Sequence, residues 1–388
     1  MSMVVLNGIS WNHTRGLLPV VAAAQRFEEL HPGVSIRWEK RSLQAFADAP
    51  MEELAARFDL IVMDHPHTAL AAAESLLLPY EEWLSAEFLA DQAANSVGGS
   101  HASYRVAGKQ WTLATDAATP IATWRPDLVE KHGVTLPGTW EEVLELARNG
   151  FVTVSAFPID ILMHSYMFCE ALGHAPFDGG HRIAGEEVLA HALEELRKLV
   201  ALCDPACLDR NPIRTAEWMS SVDDDRRATY CPFAYGYSNY SRPGYARHLL
   251  KAGGLVSHGG KTLRSTLGGA GLAVSARTLH PRLCADFAAF TASPEIQRGI
   301  YFTSGGQPGH RSAWTDPAVN AASTDFFRDT LATLDSALLR PPYPGYMEFQ
   351  DEATPVAHAA AAGTLPVREA AATIRAIQER SLANRKAS

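Results

Sequence analysis

The chain has 388 residues, too many for one ordinary core, so two domains or two lobes are expected. Its 47% hydrophobic and 20% charged residues are those of a folded globular protein. No run approaches the roughly 20 apolar residues that cross a bilayer, which reads as a soluble protein. A net charge of -9, from 43 acidic against 34 basic residues, argues against binding nucleic acid through its phosphates.

At the N-terminus Met1-Ser2-Met3 runs straight into Val4-Val5-Leu6, too short for the apolar region of a secretory leader and shaped like a strand. Val4 to Ile9 is expected as a buried parallel strand ending in a Trp-Asn-His turn. Leu17, Val20, Val21, Ala24, Phe27 and Leu30 recur at helical spacing, with Pro19 tolerable in a first turn, and His31-Pro32-Gly33 stops that helix. Val34, Ile36 and Trp38 alternate as a strand does. A short helix follows, with Asp48 placed to cap it, Pro50 near its start and Leu54 and Phe58 on its inner face. Leu60 to Met63 reads as another buried strand, ending at Asp64.

Strands alternating with helices imply a parallel sheet with right-handed crossovers, which binds ligands at the carboxyl ends of its strands. That rule places Trp11 and His13 after the first strand, and Asp64, His65 and His67 after the third, near a binding cleft. Further on, Tyr104 to Ala114 reads as a hairpin around Gly108, leading through Thr115-Asp116 to a strand from Ile121 to Trp124. Thr139 and Glu142 have the spacing of a capping box. Residues 151 to 260 mix helices and short strands. Gly271 to Ser275 is a strand, helices are expected over 281–300 and 318–336, and the last part of the chain is an alanine-rich helix.

Several segments, in their order and spacing, resemble the extracellular solute-binding proteins that serve ABC importers for carbohydrates, the maltose-binding-protein-like family. Tyr104 to Leu113, with Gly108-Lys109-Gln110-Trp111, resembles the family's glycine-lysine-aromatic hairpin, although Ala114 stands where the family often has proline. Trp124-Arg125-Pro126-Asp127-Leu128 to Gly133, followed by Thr139-Trp140-Glu141-Glu142, resembles a second family stretch. Gly268 to Ser275 with Phe287 to Pro294 resembles a third. Gly305 to Pro308 and Arg340 to Tyr346 resemble its late loops.

The resemblance implies a type II periplasmic-binding-protein fold: two discontinuous α/β lobes joined by a hinge, with a ligand cleft between them. Lobe I is expected over 1–117 and 268–318, and lobe II over 118–267 and 319–388. Crossings are placed near Thr115 to Thr119, Leu267 to Gly269 and Gly309 to Asp316. The implied function is capture of a carbohydrate or similar polar solute by a monomer, without catalysis or cofactor, for delivery to ABC permease subunits outside the cytoplasm. A cytoplasmic sensor or sequestering protein on the same fold is the alternative.

Sugars offer hydroxyls to charged and amide groups and C–H faces to aromatic rings, so loops that mix the two are the candidates. In lobe I these are Asp64-His65-Pro66-His67, with Trp11 and His13; core packing suits Trp11 equally well, and capping suits Asp64. Asp116 lies at the crossing, as ligand contact or hinge residue. In lobe II, Tyr230 to Tyr240 reads as a loop that presents Tyr235 and Tyr237 to ligand, the other reading being edge packing. Gly269 and Gly271 allow a close backbone approach to ligand, or a tight turn. No Gly-Lys-Ser/Thr follows them, so they make no phosphate cradle.

A glycosidase pairing of Asp64 with Asp116 is the least favoured reading, and no G-x-S-x-G elbow is present. His65, His67 and His101 lack metal-ligand spacing. The five cysteines form no CxxC pair and read as small buried residues, with a Cys203–Cys207 disulfide as the alternative in an oxidising compartment.

Overall fold

The computed structural model describes residues 3–48, 50–177 and 182–384. It divides into two compact units, lobe I from Met1–Ala118, Gly268–Ala321 and Pro342–Pro344, and lobe II from Thr119–Leu267, Ala322–Pro341 and Gly345–Ser388. The last passages between lobes therefore fall beyond the expected Gly309–Asp316 crossing. That stretch is held in lobe I: Gly309 N–H donates to the Thr115 carbonyl at 3.1 Å, Ala117 N–H donates to the Gln307 carbonyl at 3.2 Å, and Pro308 bridges Asp116.

The strands of lobe I are β1 (Val4–Trp11), β2 (Val34–Arg41), β3 (Leu60–Met63), the hairpin β4 (Arg105–Val106) and β5 (Lys109–Gln110), and β6 (Thr112–Ala118). Lobe II supplies β7 (Pro120–Trp124), β8 (Tyr230–Tyr235), β9 (Lys251–Gly253), β10 (Ser257–His258) and β11 (Lys261–Thr262), and β12 (Gly268–Val274) returns to lobe I. The main sheet of lobe I has the order β2-β1-β3-β12-β6. β1 lies parallel to β2 and β3, whereas β12 is antiparallel to β3 and β6.

Both faces of this sheet are covered, which is why β3 reads as an unbroken apolar run. Leu60 and Val62 enter one core with Leu6, Phe27, Leu272 and Val274, while Ile61 and Met63 enter the other with Ile9, Trp111 and Ala273.

The first helix, Thr14–Leu30, begins earlier than its apolar spacing suggests, so Pro19 lies inside it. The cause is His13. Its ring Nδ1 accepts from Arg15 N–H at 3.0 Å and its carbonyl accepts from Leu17 N–H at 2.9 Å, which starts the helix ahead of the apolar stripe. Helix Met51–Arg57 has Pro50 at its cap with no side-chain bond. The side chain of Asp48, expected there, lies outside the described residues.

Lobe II is built on the three-stranded antiparallel sheet β8-β7-β9. The capping box at Thr139 is formed, and the helix Trp140–Arg148 that it starts buries Trp140. Trp140 stacks on Phe233 at 5.9 Å and donates from Nε1 to Glu195 at 2.8 Å. Cys203 and Cys207 are free thiols rather than a disulfide.

Helix Pro158–Ala171 runs through the middle of this core, and Asp160 and His164 lie one turn apart on it, both buried. Ser155 Oγ donates to Asp160 at 2.7 Å. His164 rests against Phe233 at 4.5 Å, with neither ring nitrogen bonded. Burial pushes the Asp160 carboxyl up to about 7 and the His164 imidazole down to about 3, so both are neutral at pH 5.

The folded protein keeps the Asp160 proton that the unfolded chain loses from about pH 4, so this group costs stability as pH rises towards 7. Asp160→Asn removes that dependence and still accepts from Ser155. Its stability relative to the unsubstituted protein should rise by about 2–3 kcal/mol between pH 5 and pH 8. Urea unfolding at the two pH values checks this, and a difference that does not change with pH refutes it.

Candidate functional site

In lobe I the carboxyl ends of β1, β2 and β3 lead into the turns that carry most of the candidate residues. His13 caps the first helix. Burial, reinforced by the charge of Arg15, lowers its imidazole to about 4, so it is neutral at pH 7. In Asp64-His65-Pro66-His67 the aspartate caps a turn of 3-10 helix, its Oδ1 accepting from His65 N–H at 2.8 Å and lying 3.2 Å from His65 Nδ1. His65 and His67 are both buried. The His65 ring meets Tyr104 edge-on at 6.3 Å, and the Tyr104 hydroxyl donates to the Met63 carbonyl at 3.2 Å. The turn is thus fixed from both sides.

Asp116, on β6, is paired with Arg15 of the first helix. Arg15 Nε donates to Asp116 Oδ2 at 2.8 Å and Nη2 donates to Oδ1, a two-pronged ion pair with both residues buried. Burial raises the Asp116 carboxyl, Arg15 pulls it back, and the nearby charge of Asp64 adds to the rise. Asp116 is the anchor of this corner of lobe I. Sequence reasoning missed Arg15, although a cation in the first turn of a helix opposes the helix dipole and so calls for a carboxylate partner. It also missed Arg41 at the end of β2, which nothing in the strand's alternation distinguishes from Arg37.

Packing accounts for two features of lobe I. Trp11 is only 4% exposed and packs in the core, 5.0 Å from Phe46, the second of its two readings. The close approaches at Gly269 and Gly271 are made to the protein itself. At Gly269, where φ is +112, a Cβ would lie 2.5 Å from the Asp116 carbonyl oxygen; at Gly271 it would lie 2.4 Å from the Thr112 side chain.

In lobe II, Tyr230–Tyr235 is strand β8 rather than a loop, paired with β7 from Pro120 to Trp124. Tyr237 is 9% exposed and belongs to a core cluster with Leu128, Tyr240 and Leu250. Tyr235 is half-buried at the end of the strand. Tyr235 and Tyr237 line a cavity of about 20 Å³, which also touches Thr215 and Phe326. That space holds about one water and no sugar. Among the described residues, no cluster of three or more His, Cys, Asp or Glu side chains could hold a metal ion.

Arg15→Ala leaves the Asp116 carboxylate buried without this partner and is expected to cost about 3–5 kcal/mol in urea unfolding. The double replacement Arg15→Met with Asp116→Leu should cost clearly less. Equal losses would show that Arg15 contributes by packing and not by pairing.

Residues 10–150 match the family described as bacterial extracellular solute-binding protein. Comparison with curated protein sequences finds no match. Among solved structures, maltose-bound MalE3 of T. maritima aligns with a TM-score of 0.81 at 17% identity, covering 97% of this chain and 100% of that one. An ABC transporter solute-binding protein from Agrobacterium radiobacter, in complex with ribitol, aligns at 0.80 and 17% identity over 99% of this chain and 98% of that one. One from Thermotoga lettingae, bound with alpha-D-tagatose, aligns at 0.80 and 17% identity over 98% and 100%. The chain therefore has the fold of the maltose-binding-protein-like solute-binding proteins, two discontinuous α/β lobes, with the sequence signature of the bacterial extracellular solute-binding family in residues 10–150.

Proposed function

We propose that the chain is the solute-binding component of an ABC importer, capturing a carbohydrate or polyol and passing it to permease subunits without chemical change. The observation that carries this reading is the row of polar groups, His13, Asp64 and His65, fixed at the carboxyl ends of parallel strands, where open α/β sheets bind ligands. The bound maltose, ribitol and tagatose of proteins with this fold support the class of solute. His13, neutral at pH 7, can exchange hydrogen bonds with sugar hydroxyls. The half-buried Tyr235 is the aromatic contact in this reading. Capture follows if the solute binds a closed arrangement of the lobes better than an open one. The protein acts as a monomer on the outer side of the cytoplasmic membrane.

Thermal melting against neutral and acidic sugars and polyols tests the proposal. A ligand at 100 times its Kd adds about 2.7 kcal/mol. With about 2 cal/mol/K of unfolding entropy per residue, 388 residues give a shift of roughly 3 °C. If no compound of either kind moves the melt, the proposal fails. With a binding solute in hand, Tyr235→Ala should weaken affinity by about 1–3 kcal/mol in calorimetry; unchanged affinity removes Tyr235 from the site.

A further inference from the structure

Arg41 ends β2, in register with Trp11 at the end of β1. Its guanidinium passes over the Phe46 ring, 5.3 Å from the centroid, and reaches across the end of β1 to β3. Nη2 donates to the Val62 carbonyl at 2.8 Å and Nη1 donates to the Ala45 carbonyl at 3.3 Å. Nε is buried and bonded to nothing, and no carboxylate among the described residues forms an ion pair with this side chain.

Beside it, Trp11 is 4% exposed with its indole Nε1–H unpartnered. Both unsatisfied groups are donors, so what this corner lacks is an acceptor. Two other buried guanidinium groups have a carboxylate: Arg15 has Asp116, and Arg125 holds Asp127 with two bonds of 2.7 and 2.6 Å. The first helix starts at Thr14, so the positive end of its dipole lies close to Trp11 in the chain. Burial pulls the Arg41 guanidinium down to about 10.

We propose that Arg41 and Trp11 form a subsite in lobe I for an anionic group, a carboxylate or a phosphate, carried by the solute. The inference rests on the solute-binding reading above and narrows it to acidic sugars, either sugar acids or sugar phosphates. An anion there accepts from Arg41 Nε and Trp11 Nε1 and supplies the charge that the guanidinium lacks. A neutral sugar supplies hydroxyl acceptors but no charge.

Calorimetry on the full chain with D-glucuronate, D-galacturonate and D-glucose 6-phosphate, against D-glucose, D-galactose and ribitol, tests the proposal. At least one acidic compound should bind roughly 10- to 100-fold tighter than its neutral counterpart, as a charge-assisted contact allows. Which acids bind separates carboxylate from phosphate. Arg41→Gln should abolish that preference. Should the glutamine variant fail to fold, Arg41→Lys, which keeps the charge and loses Nε, should retain only part of the preference, and Trp11→Phe should reduce it as well. Neutral sugars binding as tightly as their acidic counterparts, or a preference that survives Arg41→Gln, overturns the subsite and leaves the importer reading standing. Binding by neither group overturns both.

Discussion

Lobe I depends on a strand that the chain reaches only after passing through lobe II. β12 sits between β3 and β6, pairing with both, and delivers Ala270, Leu272 and Val274 to one core and Ala273 to the other. Without it, β6 has no neighbour in the sheet, and Asp116 loses the strand that holds it. The backbone of β12 approaches β6 so closely at residues 269 and 271 that side chains are excluded. The same register that closes the sheet thus accounts for both glycines. Such non-local pairing slows folding, because the closing strand arrives with a large sequence separation.

The Arg15–Asp116 pair follows from that arrangement. β6 is the strand from which the chain leaves lobe I, two residues after Asp116. The ion pair ties the first turn of the first helix to it, and that turn is itself set by His13. Candidate residues after β1 and on β6 are therefore joined through one bidentate contact. Asp64, close enough to raise the Asp116 carboxyl, belongs to the same electrostatic group. An arrangement of this kind fixes positions before a ligand arrives, so that less ordering accompanies binding.

What the sequence made legible were features set by local pattern. The apolar runs of β1 and β3, the alternation of β2, the hairpin around Gly108 and the capping box at Thr139 all depend on residues within a few positions of one another. What it hid was set by distant partners. Arg15 and Asp116 are 101 positions apart, and neither signals the other. β8 was misread because Pro232 and Gly236 suggested a loop, whereas pairing to β7 makes 230–235 a strand. Tyr237 looked presentable because its neighbours in sequence are polar, but Leu128 and Leu250 enclose it. The late passage between lobes was misplaced because backbone bonds to β6 hold 307–309 in lobe I, and these are invisible in a side-chain pattern.

Buried polar groups left incomplete divide by what completes them. Neither ring nitrogen of His164 has a hydrogen-bond partner among the described residues and its ring lies against Phe233, so it is buried as the neutral form and its imidazole is pushed down accordingly. Arg41 cannot take that route: even lowered to about 10, its guanidinium stays charged at physiological pH. A charge that cannot be discharged and has no ion-pair partner among the described residues is costly to enclose. It lies at the carboxyl edge of the parallel strands, where ligand is expected on topological grounds alone. Local rules broken at the place where topology puts a ligand are the mark of function, whereas the same incompleteness at His164, deep in a helix core, marks only a cost of folding.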